Sequence, residues 1–221
     1  LNPEKALELL DYAYADCHVR RFAIDCLRRN CTDEQLSLYL LQLVQALKYE
    51  SYLYCDLVEF LLERAFNNQR IGHQLFWLLR SEMHMQSTSV KFGVILEAYC
   101  RGAIEHMKVL LHQTVALNKL KRINEAIKFE MKNEPKERRI EIMHKILEQR
   151  YYKESLSNFV NPLDPSFMLG NIQIKQCKFM DSKMKPLFLV FTNEDYLNED
   201  EKKNIYLIFK NGDGKYDLKN F

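Results

Sequence analysis

Between Pro3 and Pro162 there is one proline, Pro135, and only three glycines, Gly72, Gly93 and Gly102. A span so poor in residues that break a helix, and rich in Leu, Ala, Glu, Lys and Arg, is constrained to fold as helix after helix. Start signals divide it. Asn2-Pro3 places a cap before a proline in the first turn. Asp16 caps a second helix with Val19, Phe22, Ala23, Cys26 and Leu27 as its apolar stripe. Thr32-Asp-Glu-Gln35 is a capping-box pattern opening the stripe Leu36, Tyr39, Leu40, Leu43, Val44 and Leu47. Further helices are expected over 51–66, 69–84, 89–130 with a break, and 136–158. Asp16-x-x-Val19-Arg20-x-x-Ala23 and Asn68-x-x-Ile71-Gly72-x-x-Leu75 echo each other, each at the start of the second helix of a pair. Helix pairs that cannot bury both faces alone must stack, so the fold class read here is mainly α: a HEAT-like helical solenoid over 1–160.

The pattern changes at Asn161-Pro-Leu-Asp-Pro165. Ile172, Ile174 and Cys177 alternate with other residues, 187–191 is continuously apolar as in a strand buried on both faces, and Ile205–Phe209 is another strand. Residues 192–204 read as a surface loop or short helix. Residues 161–221 are therefore expected to form a smaller β-rich unit.

Charge narrows the functions. Lys and Arg number 32 against 30 Asp and Glu, a net charge of +2 that gives no pull toward nucleic acid. The six cysteines have no C-x-x-C spacing and the six histidines no H-x-x-x-H, so reduced thiols and no metal site are expected. No run approaches the roughly 20 apolar residues of a membrane-spanning helix. The start, Leu1-Asn-Pro, reads as a cut into a longer protein.

Two constellations carry chemistry. Asp181-Ser-Lys-Met-Lys185 joins two apolar segments, and a tight turn with a serine hydroxyl and lysines can bind phosphate oxygens. Lys210 follows Ile208 and Phe209; an ammonium at the end of a buried strand must meet an anion or reach solvent. A third pattern, Asn211-Gly-Asp-Gly-Lys-Tyr-Asp217, resembles the heart of an EF-hand loop. It has Phe209 and Asn220 where calcium needs acidic anchors, so calcium binding is not expected.

Longer phrases carry a family resemblance. They are Ala6-Leu-Glu-Leu-Leu-Asp11, Gln42-Leu-Val-Gln-Ala-Leu-Lys-Tyr-Glu50, Arg70-Ile-Gly-His73, Phe76-Trp77 and Arg80-Ser-Glu-Met-His84, with Gly93–Gly102 and Lys178–Leu187. With these, the chain resembles the helical domain and the opening of the kinase N-lobe of class IA phosphoinositide 3-kinase catalytic subunits. Gly93–Gly102, Lys178–Leu187, His106–Val109 and Ala116–Lys121 are most similar to the beta isoform. The resemblance implies that Ser182 and Lys183 belong to a phosphate-binding loop. It also implies that Met180, Pro186 and Phe188 (usually Trp in the family) lie beside a nucleotide, that Ile208 lines an adenine pocket, and that Lys210 contacts the phosphates. ATP and Mg are the implied cofactors, a regulatory adaptor subunit and a phosphoinositide membrane lipid the implied partners, and the cytoplasm, with recruitment to membrane, the implied location. The family continues from Gly-Asp with Asp-Leu-Arg-Gln-Asp, where Gly214-Lys-Tyr-Asp217 stands here. The family's catalytic loop and Mg ligands are not among these residues, so the fragment is expected to be inactive alone.

Overall fold

Local hydrogen bonds from polar caps set the starts of four helices. In the computed structural model, which describes residues 1–193 and 204–212, α1 (Pro3–Glu8) begins where Asn2 accepts from the Lys5 N–H and Pro3 supplies the first turn. α2 (Cys17–Asn30) is capped by Asp16, which accepts from the His18 and Val19 amides. α3 (Asp33–Ala46) opens with the reciprocal box, Gln35 N–H to Thr32 and Thr32 N–H to Gln35. α5 (Gln69–Glu82) is capped by Asn68, so both members of the internal echo cap the helix they precede. Phe22, expected in the α2 stripe, is exposed; Arg20 and Ile24 are buried there instead.

Two expected helices start or end elsewhere. α4 runs Asp56–Asn67, not from residue 51. Lys91 Nζ takes the Leu47 carbonyl at 3.2 Å and also the Glu50 carbonyl, which commits that connection to a distant side chain rather than to helical N–H groups. The span 89–130 divides at Ala103 into α6 (Ser89–Gly102) and α7 (Ile104–Glu125), and a wide π turn follows over Ala126–Glu130. The span 136–158 becomes α8 (Lys136–Glu148) and α9 (Arg150–Ser155).

The chain forms two compact units, Leu1–Met107 and Lys108 onward. In the first, α2 packs on α4, α3 on α5 and α4 on α6, each on the next but one, while α1 packs on α2, α4 on α5 and α5 on α6. The core is built from Leu27, Leu36, Leu40, Leu43, Phe60, Leu61, Leu75, Phe92 and their neighbours, all buried. This division falls within α7, not at the change of composition near residue 161. The reason lies in the second unit, where Leu120, Ile123, Met143, Leu147 and Leu156 share one apolar core with the strands. Lys119 is buried, with its ammonium 2.8 and 4.3 Å from the Tyr151 and Tyr152 ring centres. No described helix is long and apolar enough to cross a membrane.

The strands are β1 (Phe159–Val160), β2 (Met168–Ile172), β3 (Lys178–Phe179), β4 (Leu187–Asn193) and β5 (Asn204–Phe209), all paired antiparallel. β4 organises the sheet. β5 runs along one edge of it, while β2 and β3 share the other, β2 near Asn193 and β3 near Leu187. Leu187, Leu189 and Phe191 face the core with Leu207 and Phe209 of β5 packed against it. Of the loop expected over 192–204, residues 194–203 lie outside the described residues.

Candidate functional site

The period-two alternation that turns odd-numbered β4 residues inward turns even-numbered ones outward. Lys178 pairs with Phe188, and Phe188 pairs with Ile208. Directly opposed residues share a face, so Lys178, Phe188, Tyr206 and Ile208 form one surface on the side away from the core. Met180 and Lys210 continue that alternation just beyond their strand ends. The face is open at Met180, Tyr206 and Ile208, which are 37%, 55% and 57% exposed, while Val190, paired with Tyr206 on the same face, is buried. Phe188 stacks on Tyr206 with ring centres 5.9 Å apart, and Lys178 Nζ lies 5.3 Å from the Phe188 ring.

The expected phosphate turn is a real turn. Pro186 O accepts from the Met180 N–H at 2.8 Å, closing the β3–β4 hairpin. Inside it the Ser182 N–H donates to Met180 O and the Lys185 N–H to Ser182 O, at 3.0 and 3.1 Å. Lys185 has φ 48°, a left-handed conformation that is unfavourable for a residue with a Cβ. Its ammonium pairs with Asp181, and that hydrogen bond and charge hold the Asp181 carboxyl below its ordinary pKa. Ser182 and Lys183 are both exposed.

The sequence-expected residues thus fall into two groups. Met180, Phe188 and Ile208 come together on the outer face with Lys210 following; Ser182 and Lys183 sit on the turn, and Pro186 ends it. One expectation is corrected. β5 is not a buried strand, because among the described residues it pairs with β4 alone and alternates half-buried with exposed residues. Lys210 is accordingly exposed, and burial does not force an anion on it. Sequence reasoning passed over Lys178 and Tyr206, which strand parity identifies once the register is known. It also passed over Asn124, a buried residue of α7 that donates to the Met184 and Lys185 carbonyls.

The donor set fits a nucleotide in kind. An open apolar and aromatic surface suits a planar base, and exposed hydroxyl and ammonium groups at its margin suit phosphate oxygens. Metal chemistry finds less. Among the described residues, Asp16, Cys17 and His18 bring three possible ligand atoms within 4.8 Å, all exposed, and Asp16 is already engaged as the α2 cap. The EF-hand-like pattern falls largely on 213–217, outside the described residues.

Comparison with known proteins adds a separate line. The profile described as "Phosphoinositide 3-kinase family, accessory domain (PIK domain)" matches residues 1–112. The chain is 39% identical over 214 residues to phosphatidylinositol 3-kinase 2 of Dictyostelium discoideum, covering 96% of the chain and 11% of that protein. To phosphatidylinositol 3-kinase 1 of the same organism it is 41% identical over 213 residues, covering 96% of the chain and 13% of the relative. Phosphatidylinositol 3-kinase age-1 of Caenorhabditis briggsae is 33% identical over 216 residues, covering 94% of the chain and 18% of that protein. The chain therefore spans less than a fifth of the length of these curated relatives.

Proposed function

The chain belongs to the phosphoinositide 3-kinase family, and from that premise we propose that it is a fragment of a class IA, beta-like catalytic subunit. Residues 1–160 are its HEAT-like helical scaffold, a reading supported by the next-but-one packing of α2 through α6. Residues 161–221 open its kinase N-lobe. The parent enzyme transfers the γ-phosphate of ATP to the 3-hydroxyl of a phosphatidylinositol lipid. It works in the cytoplasm and is recruited to membrane with a regulatory adaptor subunit.

The observation that carries this reading is the strand register. Phe188 and Ile208, twenty residues apart in sequence, are paired on one open face, with Met180 beside them and Lys210 next in the alternation. In the proposed site Met180, Pro186, Phe188 and Ile208 contact the base. Ser182 and Lys183 hold phosphate oxygens through hydroxyl and ammonium groups. Lys210 neutralises phosphate charge, which favours a transition state whose charge is spread over the transferred group. Mg bound with ATP would supply further neutralisation, from ligands elsewhere in the parent enzyme. The residues named here provide grip and orientation rather than proton transfer.

Titration of the 221-residue chain with trinitrophenyl-ATP tests the site. Binding is expected, and Lys210→Ala should weaken it by roughly tenfold, the worth of one charge-assisted contact. Equal affinity of the two proteins would remove Lys210 from the site.

A further inference from the structure

Asn124 lies in the last turn of α7, just before the backbone widens into the π turn. It is completely buried. Its Nδ2 donates to Met184 O at 3.3 Å and to Lys185 O at 2.6 Å, across about sixty residues of sequence. Its Oδ1 is buried with no partner among the described residues. A buried amide oxygen without a donor is destabilising, and an apolar side chain of similar volume would fill the same space without that penalty. The oxygen therefore gives no reason for an asparagine here. The N–H pair is what the position uses.

The two bonds land on the peptide groups either side of Lys185, Met184–Lys185 and Lys185–Pro186. The Met184 carbonyl accepts from Asn124, and the N–H of the same peptide, belonging to Lys185, donates to Ser182 O at 3.1 Å. The C=O and N–H of a trans peptide point in opposite directions, so this group is held by the helix on one side and by Ser182 on the other. Hydrogen bonds linked through one amide polarise each other in the same sense. The adjoining Lys185 has φ 48° without being glycine, so local preference opposes the turn that is observed. Something outside the turn must select it, and the two bonds from Asn124 are placed to do so. Lys128 adds a lesser contact, its Nζ 3.7 Å from Met184 Sδ.

We propose that Asn124 is the positioning residue of the phosphate-facing turn, holding the Met184–Lys185 peptide so that Ser182 and Lys183 are presented to ligand. This rests on the reading of the turn as a phosphate site. The coupling is from helix to strand hairpin within the second unit, and Asn124 itself touches no ligand.

The test uses the 221-residue chain with trinitrophenyl-ATP as probe and residue-resolved amide hydrogen exchange as second readout. Asn124→Leu removes both donors. It should weaken probe binding roughly tenfold and speed exchange at the Lys185 amide, while the amides of α8 and of the β4–β5 pairing keep their protection. Asn124→Thr retains one donor and should fall between the two. Unchanged affinity and unchanged Lys185 exchange in Asn124→Leu overturn the positioning role and leave the nucleotide site standing. No probe binding by the unsubstituted chain overturns the site reading itself. If Asn124→Leu loses protection throughout the sheet, Lys185→Gly decides the matter. Glycine adopts positive φ freely, so Asn124→Thr should cost less affinity in that background than alone. An equal cost in both backgrounds overturns the proposal.

Discussion

Replacing Gly72 by alanine should destabilise the helical unit, although alanine is the better helix former. A Cβ built at Gly72 would lie 1.9 Å from the Tyr99 hydroxyl oxygen, 2.6 Å from Tyr99 Cζ and 3.0 Å from the Ala65 carbonyl oxygen. Tyr99 is 1% exposed and stacked against Phe66 with ring centres 5.6 Å apart, so the ring has little room to retreat. To restore an ordinary contact near ~3.5 Å the hydroxyl must withdraw by about 1.5 Å. Its 2.6 Å hydrogen bond to His106 Nδ1 does not survive such a displacement. Overpacking of this kind costs about 1–3 kcal/mol, and a buried polar pair left apart about 1–3 kcal/mol more. Against these, alanine regains about 1 kcal/mol of helix propensity. The net expectation is a loss of about 1–5 kcal/mol, a shift on the order of 1 M in the urea midpoint. Trp77, the single tryptophan, lies on the same helix and reports unfolding by its fluorescence. Tyr99→Phe is the control. Without the hydroxyl there is no bond to His106 to lose, so Gly72→Ala should cost about 1–2 kcal/mol less in that background. A midpoint for Gly72→Ala equal to or above that of the unsubstituted chain would refute the reasoning, because propensity would then outweigh the close approach.

Two further outcomes follow from buried charge and buried histidine. Arg20 is buried, with Nε 2.8 Å from Glu50 Oε1 and further donors on the Leu10, Asp11, Tyr14 and Ala46 carbonyls. Arg20→Ala should cost about 3–5 kcal/mol because Glu50 and those carbonyls lose their partner. In urea melts, Arg20→Ala with Glu50→Ala should cost less than the sum of the singles, and strict additivity would contradict this. His106 is held to a pKa of about 4, first by burial and then by the charge of His73, against an ordinary 6.5. Above pH 6.5 it is neutral folded and unfolded and adds no pH dependence. As pH falls from 6.5 toward 4 the unfolded chain takes the proton first, so stability is lost through that window, by about 2 kcal/mol at pH 5. Urea midpoints at pH 7 and pH 5 should differ less in His106→Gln, and identical differences would exclude His106 as the source.

What was legible in the sequence was local. Asn2, Asp16, Thr32 and Asn68 announce helix starts because a cap needs only its own side chain and the next few amides. The start of α4 was misplaced because Lys91, some forty residues away, takes carbonyls before it. β1 is two residues long and carries no period to detect. Within the site, the turn and the lysine after β5 were legible as types of residue in a pattern. The exposure of β5 was not, because an apolar strand looks alike whether both its edges are paired or one. Asn124 left no trace, since a single asparagine in a helical stretch signals nothing until its carbonyl partners are known.

The continuous apolar run 187–191 shows why composition misleads about what a strand faces. Leu187, Leu189 and Phe191 are apolar because they meet helices α7 and α8 in the core. Phe188 is apolar for a different reason. It lies half-buried on the opposite side, stacked on Tyr206 and paired with Ile208, at the open end of a face on which Val190 is buried. One run therefore serves two demands, and the pleat keeps them apart. A slip of one residue would exchange them, putting Phe188 into the core and Leu187 and Leu189 on the outer face. The core residues thus fix the register that brings Phe188 opposite Ile208. The precision of the outer face is inherited from packing on the inner one, while the turn at its end needs a separate hold, which its own sequence does not provide and Asn124 does.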